Sequence, residues 1–281
     1  MKAVFVRDNN DIANRGLYFY LYDKYSKKNP TIFYRDSTSF GKLSNDAGLG
    51  DITPHDVRLV VLPGYTPDDS FLTEKDANHL LEYVSKGGGL YAVCDSVLQV
   101  VNIGVKFFKD EKGKLFFGTR KSESIGNGLL GDGIRTASFS GEYDASSCYR
   151  EVRLAGGAKT RFAYYNGPSL TVCRQEMARG GVKILARIVK KTYGPDIDRP
   201  QGVGFFDILH VKLGEGDIVL QCSHIEAPLD YRFRYSRPQG DECKDKFKEQ
   251  IELYRRYVKR FERTNARLRD HIYEGIFGLE R

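Results

Sequence analysis

Three residue types in this chain stand where nucleophilic acyl chemistry needs them. Cys94 ends an apolar run, Leu90-Tyr91-Ala92-Val93, and opens a small, helix-like stretch, Asp95-Ser96-Val97-Leu98-Gln99. That order predicts a nucleophile elbow, a sharp strand-to-helix turn that lifts one side chain off the carboxyl edge of a parallel sheet. The N-terminus of the following helix and a neighbouring imidazole both favour the thiolate, the reactive form of cysteine. His224 and Glu226 follow a second apolar run that closes with Leu220-Gln221-Cys222-Ser223. In a Cys94–His224–Glu226 set the imidazole is the general base and the carboxylate holds its tautomer. An attacked carbonyl also develops negative charge and needs preorganised N–H donors. The N–H groups of Gly64, next to Pro63 at a strand end, and of Asp95 are the expected oxyanion pair. Tyr165, Asn166 and Gly167, which close another β run after Tyr164, read as a substrate pocket or as a plain strand end.

Other chemistries are excluded or unsupported. Gly87-Gly88-Gly89 precedes a strand rather than a helix, and no Gly-Lys-Ser/Thr follows, so it is no phosphate loop. The five cysteines, Cys94, Cys148, Cys173, Cys222 and Cys243, are scattered and hold no C-x-x-C pair. Reduced thiols are expected, with neither a disulfide framework nor a zinc site. His55, His79, His210 and His271 have no ligand-like spacing, and neither a metal nor a cofactor is expected.

The elements that position these residues follow from pattern. Lys2–Val6, Thr31–Tyr34, Val57–Leu62 and Leu90–Val93 read as strands. A helix over Ile12–Tyr25 and a second one after Thr73, closing at Gly87, lie between them, and residues 36–56 read as a long loop or irregular crossover. This β-α-β-α-β-α alternation predicts a parallel sheet with helices on both faces and a ligand site at the strands' carboxyl ends. From residue 104 to 211 short β runs joined by Gly-rich turns predict an antiparallel extension inserted before the last core strand, Asp217–Gln221. The Gly/Ser segment 122–143 reads as a mobile loop.

Composition bounds the rest. The 281 residues, 41% hydrophobic and 29% charged, suit one large domain or a domain with an appendage. No apolar run approaches the roughly 20 residues that span a bilayer. The N-terminus enters a strand without a leader pattern, so a cytoplasmic location and no membrane contact are expected. Residues 231–281 hold 14 Lys and Arg against 9 Asp and Glu, which is five of the seven net positive charges. The body is nearly balanced, which argues against nucleic acid as the partner and for a solvated basic helix. Phe247, Ile251, Tyr254, Val258 and Phe261 fall at spacings of four and three, and Leu268 and Ile272 extend the seam. An amphipathic helix is predicted, either docked on the domain or serving as an oligomer seam. The expected division is 1–230 for the α/β domain and 231–281 for the basic helical segment.

Several stretches together resemble the N-terminal domain of eukaryotic biotin–protein ligases, itself similar to class I glutamine amidotransferases. They are Val60-Val61-Leu62-Pro63-Gly64, the run from Glu82 to Cys94, Tyr164-Tyr165-Asn166-Gly167, the run from Gly214 to Leu220, and Ser223-His224-Ile225-Glu226. The resemblance covers roughly residues 1–230. It implies a flavodoxin-like, amidotransferase-like sheet with Cys94, His224 and Glu226 at triad positions. It does not imply biotin ligation, because no Gly-Arg-Gly-Arg-type loop is present. Ala92 and Ser96 replace the family's elbow glycines, and Leu98 replaces a glutamine-binding residue, so glutamine is not the expected substrate. A small amide or ester, with a Cys–His–Glu hydrolase or acyl-transfer reaction, is the first expectation. A non-catalytic binding or regulatory domain is the second. A separate ligase or synthetase polypeptide is the expected macromolecular partner, beside a small-molecule substrate or ligand.

Overall fold

In the computed structural model, residues 3–7, 12–28, 31–35, 52–63, 74–101, 108–109, 115–116, 134–137, 148–164, 167–172, 177, 180–191, 205–228, 230–231, 248, 251–252 and 254–281 are described. The first part runs β1 (Ala3–Arg7), α1 (Ile12–Tyr25), β2 (Thr31–Arg35), β3 (Val57–Leu62), α2 (Glu74–Ser85), β4 (Gly89–Val93) and α3 (Asp95–Val101). Two short strands, β5 (Phe108–Lys109) and β6 (Leu115–Phe116), pair with each other apart from the main sheet. Then come β7 (Ile134–Ala137), β8 (Cys148–Leu154), β9 (Lys159–Tyr164), β10 (Ser169–Val172), β11 (Val182–Lys191), β12 (Phe206–Leu213) and β13 (Gly216–Gln221). The chain closes with a 3₁₀ turn over Lys259–Phe261, helix α4 (Glu262–Asp270) and a π-helical turn over His271–Ile276.

The main sheet is mixed. Its order is β2-β1-β3-β4-β13-β12-β11-β8-β9, with β10 and β7 branching from β12. The first five strands are parallel. From β13 onward neighbours are antiparallel. The antiparallel half curls until its edge strand β9 meets the segment after β13, through a bridge between Ala163 and His224.

Two apolar layers cover the central strands, because alternate residues of a strand face opposite sides. Leu90 and Ala92 of β4 pack with Leu80, Tyr83 and Val84 of α2 and with Val97 and Val100 of α3. Tyr91 and Val93 pack on the other side with Leu17, Tyr20, Leu21 and Tyr25 of α1. Helix α2 stops where glycine allows it. Gly87 sits at φ +106°, and the Gly87 and Gly88 N–H groups return to the Val84 and Tyr83 carbonyls at 2.9 and 3.1 Å. That pairing closes the helix end and turns the chain into β4.

Two expectations need correction. The mobile loop predicted over 122–143 contains strand β7, which pairs with β10 from Ser169↔Ala137 to Val172↔Ile134; its four residues, Ile134-Arg135-Thr136-Ala137, do not alternate strictly. The single amphipathic helix of the tail is broken among the described residues into 3₁₀, α and π turns. Its seam faces inward: Tyr254, Val258, Leu268 and Ile272 are buried within the chain. The π turn brings Tyr273 and Phe277 against Tyr91, with ring centroids 5.6 and 6.1 Å apart. Most of the predicted crossover at 36–56, the residue Thr73 before the second helix and the seam residue Phe247 lie outside the described residues. No described helix is long and apolar enough to cross a membrane.

Candidate active site

Cys94 follows the last residue of β4 directly and precedes α3. Its φ is +54°, the one non-glycine positive φ among the described residues. A side chain in this region costs of order 1–2 kcal/mol, because Cβ crowds the carbonyl. Hydrogen bonds at this turn hold it there. The Cys94 N–H donates to the Gln221 carbonyl at 2.7 Å, and its carbonyl accepts from Val97 N–H at 3.0 Å. The buried Ser96 hydroxyl donates to the Pro63 carbonyl. Serine at this position therefore ties the elbow to the end of β3, something a glycine would not do.

His224 and Glu226 lie just past β13, the strand paired in parallel with β4 in the register Gln221↔Val93. Both segments thus leave the sheet at one rim. His224 Nδ1 and Glu226 Oε1 are 3.0 Å apart. A carboxylate only accepts, so the Nδ1 proton is the one shared. The His224 N–H donates to the Ala163 carbonyl at 2.8 Å. Below the turn, Gln221 Nε2 donates to Glu226 Oε2 at 3.1 Å and to the Ser223 carbonyl at 2.9 Å. From the C-terminal segment, Tyr273 donates its hydroxyl proton to the Glu226 carbonyl at 2.7 Å, and Arg269 Nη1 donates to the Ile225 carbonyl at 3.3 Å. Cys94, His224 and Glu226 retain 4%, 9% and 5% of their surface.

Gly167 closes the rim from a third side. A Cβ there would stand 2.0 Å from the Cys222 carbonyl oxygen and 3.2 Å from Cys94 Sγ. Its carbonyl accepts from the Tyr164 hydroxyl at 2.7 Å. Of the other predicted site residues, Gly64, Tyr165 and Asn166 lie outside the described residues. Asp95 is the first residue of α3, so its N–H is one of the helix's unpartnered leading donors by position.

A buried ion pair that the sequence reading missed underlies this rim. Arg150 Nη1 meets Asp207 Oδ1 at 2.6 Å, with both side chains almost wholly enclosed. Asp207 Oδ2 accepts the Ser223 hydroxyl, and Arg150 also donates to the Pro168 carbonyl at 3.1 Å and to Ser169 Oγ at 3.4 Å. Burial opposes the guanidinium charge, but Tyr164, Asp207 and Cys222 around it outweigh that and raise its pKa. The signal was present as one carboxylate inside the apolar run Phe205-Phe206-Asp207-Ile208-Leu209. A buried charge requires a partner. Among the described residues no His, Cys, Asp and Glu group of three is placed to hold a metal ion.

No family model matches the chain, and no curated protein matches it. Solved structures do. A glutamine amidotransferase is 12% identical, with a TM-score of 0.44 over 82% of this chain and 94% of its own. A ThuA-like protein from Parabacteroides merdae is 14% identical, with a TM-score of 0.41 over 79% of this chain and 78% of its own. A β-galactosidase from Bacillus circulans sp. alkalophilus is 13% identical, with a TM-score of 0.43 over 82% of this chain and 29% of its own. The chain thus spans less than a third of that β-galactosidase.

Proposed function

We propose that this chain is an amidotransferase-like domain with a flavodoxin-like core, related to the biotin–protein ligase N-terminal region, and that it cleaves or transfers the acyl group of a small amide or ester. The observation that carries the reading is the His224–Glu226 pair at 3.0 Å, at the same sheet rim as a cysteine held at φ +54°. Strained backbone of this kind collects at functional sites. Cys94 Sγ attacks the carbonyl carbon and forms a C–S bond, while its proton passes to His224 Nε2. Glu226 holds Nδ1–H and balances the imidazolium. The N–H groups of Asp95 and Gly64 receive the oxyanion. His224 then returns the proton to the leaving nitrogen or oxygen as that bond breaks. Water or an amine, deprotonated by His224, resolves the thioester. Tyr165, Asn166 and Gly167 border the substrate, and a separate ligase or synthetase polypeptide is the partner. The chain works in the cytoplasm.

The small remaining exposure of Cys94 favours the second reading, a binding or regulatory domain that keeps the fold without the reaction. One measurement separates them. Iodoacetamide alkylation of Cys94, followed by peptide mass spectrometry against pH, is expected to show a midpoint well below the ordinary thiol value of about 8.5. In His224→Ala the midpoint returns towards that value. A wild-type midpoint at or above about 8.5 that His224→Ala leaves in place overturns the catalytic reading.

A further inference from the structure

We propose that Gln221 is a positioning residue for the His224–Glu226 pair, and that Tyr91 anchors it. This deepens the reading above and rests on it for what the pair does. Gln221 is the last residue of β13 and is fully buried. Both of its N–H donors and its carbonyl oxygen are engaged. Oε1 accepts the Tyr91 hydroxyl proton at 2.5 Å, and Nε2 donates to the Ser223 carbonyl at 2.9 Å and to Glu226 Oε2 at 3.1 Å. An amide has two N–H donors and one carbonyl acceptor. Rotating it by half a turn would set its oxygen against a carbonyl and a carboxylate, with no donor between them. Glu226 is consequently held at both oxygens, by His224 on Oε1 and by Gln221 on Oε2. Its carboxylate cannot turn away from the imidazole without losing the amide.

Tyr91 fixes which way the amide faces. Burial and the nearby Glu226 charge raise its phenol far above the ordinary range, so it donates at any working pH. Tyr91 also stands on β4, three residues before Cys94. The chain of bonds Tyr91–Gln221–Glu226–His224 therefore ties the strand that carries the thiol to the segment that carries the base. A leucine of similar volume at position 221 would fill the space but could not hold Glu226 Oε2.

The test uses the full chain as Gln221→Leu and as Tyr91→Phe, which keeps the ring in place. The first readout is the downfield proton resonance of His224 Nδ1–H, assigned by its loss in His224→Ala. The second is the pH profile of Cys94 alkylation. The resonance is expected in wild type, is lost or moved upfield in Gln221→Leu, and is moved less in Tyr91→Phe. Alkylation at neutral pH slows about tenfold in Gln221→Leu, the change for one pKa unit. Should Gln221→Leu fail to fold, Tyr91→Phe decides alone. An unchanged resonance and profile in a variant that melts as wild type overturns the proposal, as does a wild type without the resonance. If the variants move the resonance while wild-type Cys94 titrates as an ordinary thiol, the role of Gln221 stands and the nucleophile reading fails.

Discussion

The two halves of this rim are positioned by opposite means. Cys94 is set mostly by its own neighbourhood, the end of β4, the start of α3 and the bond to Val97, with one backbone bond to Gln221 of the adjacent strand β13. His224 and Glu226 sit in an irregular turn held by groups from β9, β13, α4 and the π turn, with Arg150 and Asp207 beneath. The elbow stores strain in one residue, whereas the turn spreads its support over many. Damage to the two halves should therefore look different, in size and in kind.

The largest effect is expected beneath the turn. Asp207→Ala leaves the Arg150 guanidinium buried without its counter-charge and releases the Ser223 hydroxyl. Removing one partner of a buried pair costs about 3–5 kcal/mol. Urea denaturation should show that loss, and Arg150→Met with Asp207→Leu should recover most of it, because an apolar pair demands no charge balance. A loss below about 1 kcal/mol for Asp207→Ala would mean that the turn stands without its foundation, and the contrast with the elbow would fall.

At the elbow the expected sign is inverted. Alanine is ordinarily the more stable replacement, since glycine loses more chain entropy on folding. At φ +54° the Cβ itself carries the strain. Cys94→Gly should therefore be more stable than Cys94→Ala by about 1 kcal/mol, measured by the same denaturation. Both remove Sγ, so the sulfur's packing cancels from the comparison. If alanine proves the better residue, the strain is not stored in that one backbone position.

This asymmetry also explains what the sequence disclosed. Local order is written locally. The limits of α1 and β3 match their patterns residue for residue, and β4, Cys94 and α3 follow from apolar-then-polar order alone. His224 and Glu226 were legible as a pair because they are two residues apart. Their supports were not, since Arg269 and Tyr273 reach the turn from more than 40 positions away. Each reads as an ordinary residue of a basic helix. The same holds for Gln221, whose neighbours Tyr91 and Glu226 lie 130 and 5 residues off. Strands β7 and β10 have four residues each, the shortest span at which alternation can be read, and β7 (Ile134-Arg135-Thr136-Ala137) does not alternate strictly.

The smallest effect concerns the outer fastening of the C-terminal clamp. Lys24 of α1 meets Asp270 at 2.5 Å and Glu274 at 3.5 Å, and Arg281 meets Asp270 at 2.8 Å. Burial alone would raise the Asp270 carboxyl, but Lys24 and Arg281 outweigh it and hold the pKa below the ordinary value. A carboxyl that is lower folded than unfolded contributes stability in full above about pH 4 and loses it as pH falls towards the folded value. Lys24 shows the opposite sign: burial lowers it, Asp270 and Tyr20 raise it further, and its share fades only as pH climbs past the ordinary lysine range. Between those limits the fastening is complete. Below about pH 4, hydrogen exchange of the amides in 262–276 should quicken while those of 94–97 hold their protection, because the bonds from Cys94 to Gln221 and Val97 join backbone groups and Ser96 reaches Pro63 through its hydroxyl. In Asp270→Asn the acid-dependent part should disappear and exchange in 262–276 should be faster already at neutral pH. Equal acceleration at the elbow would show that the two halves open together, and that local strain and distant support belong to one cooperative unit.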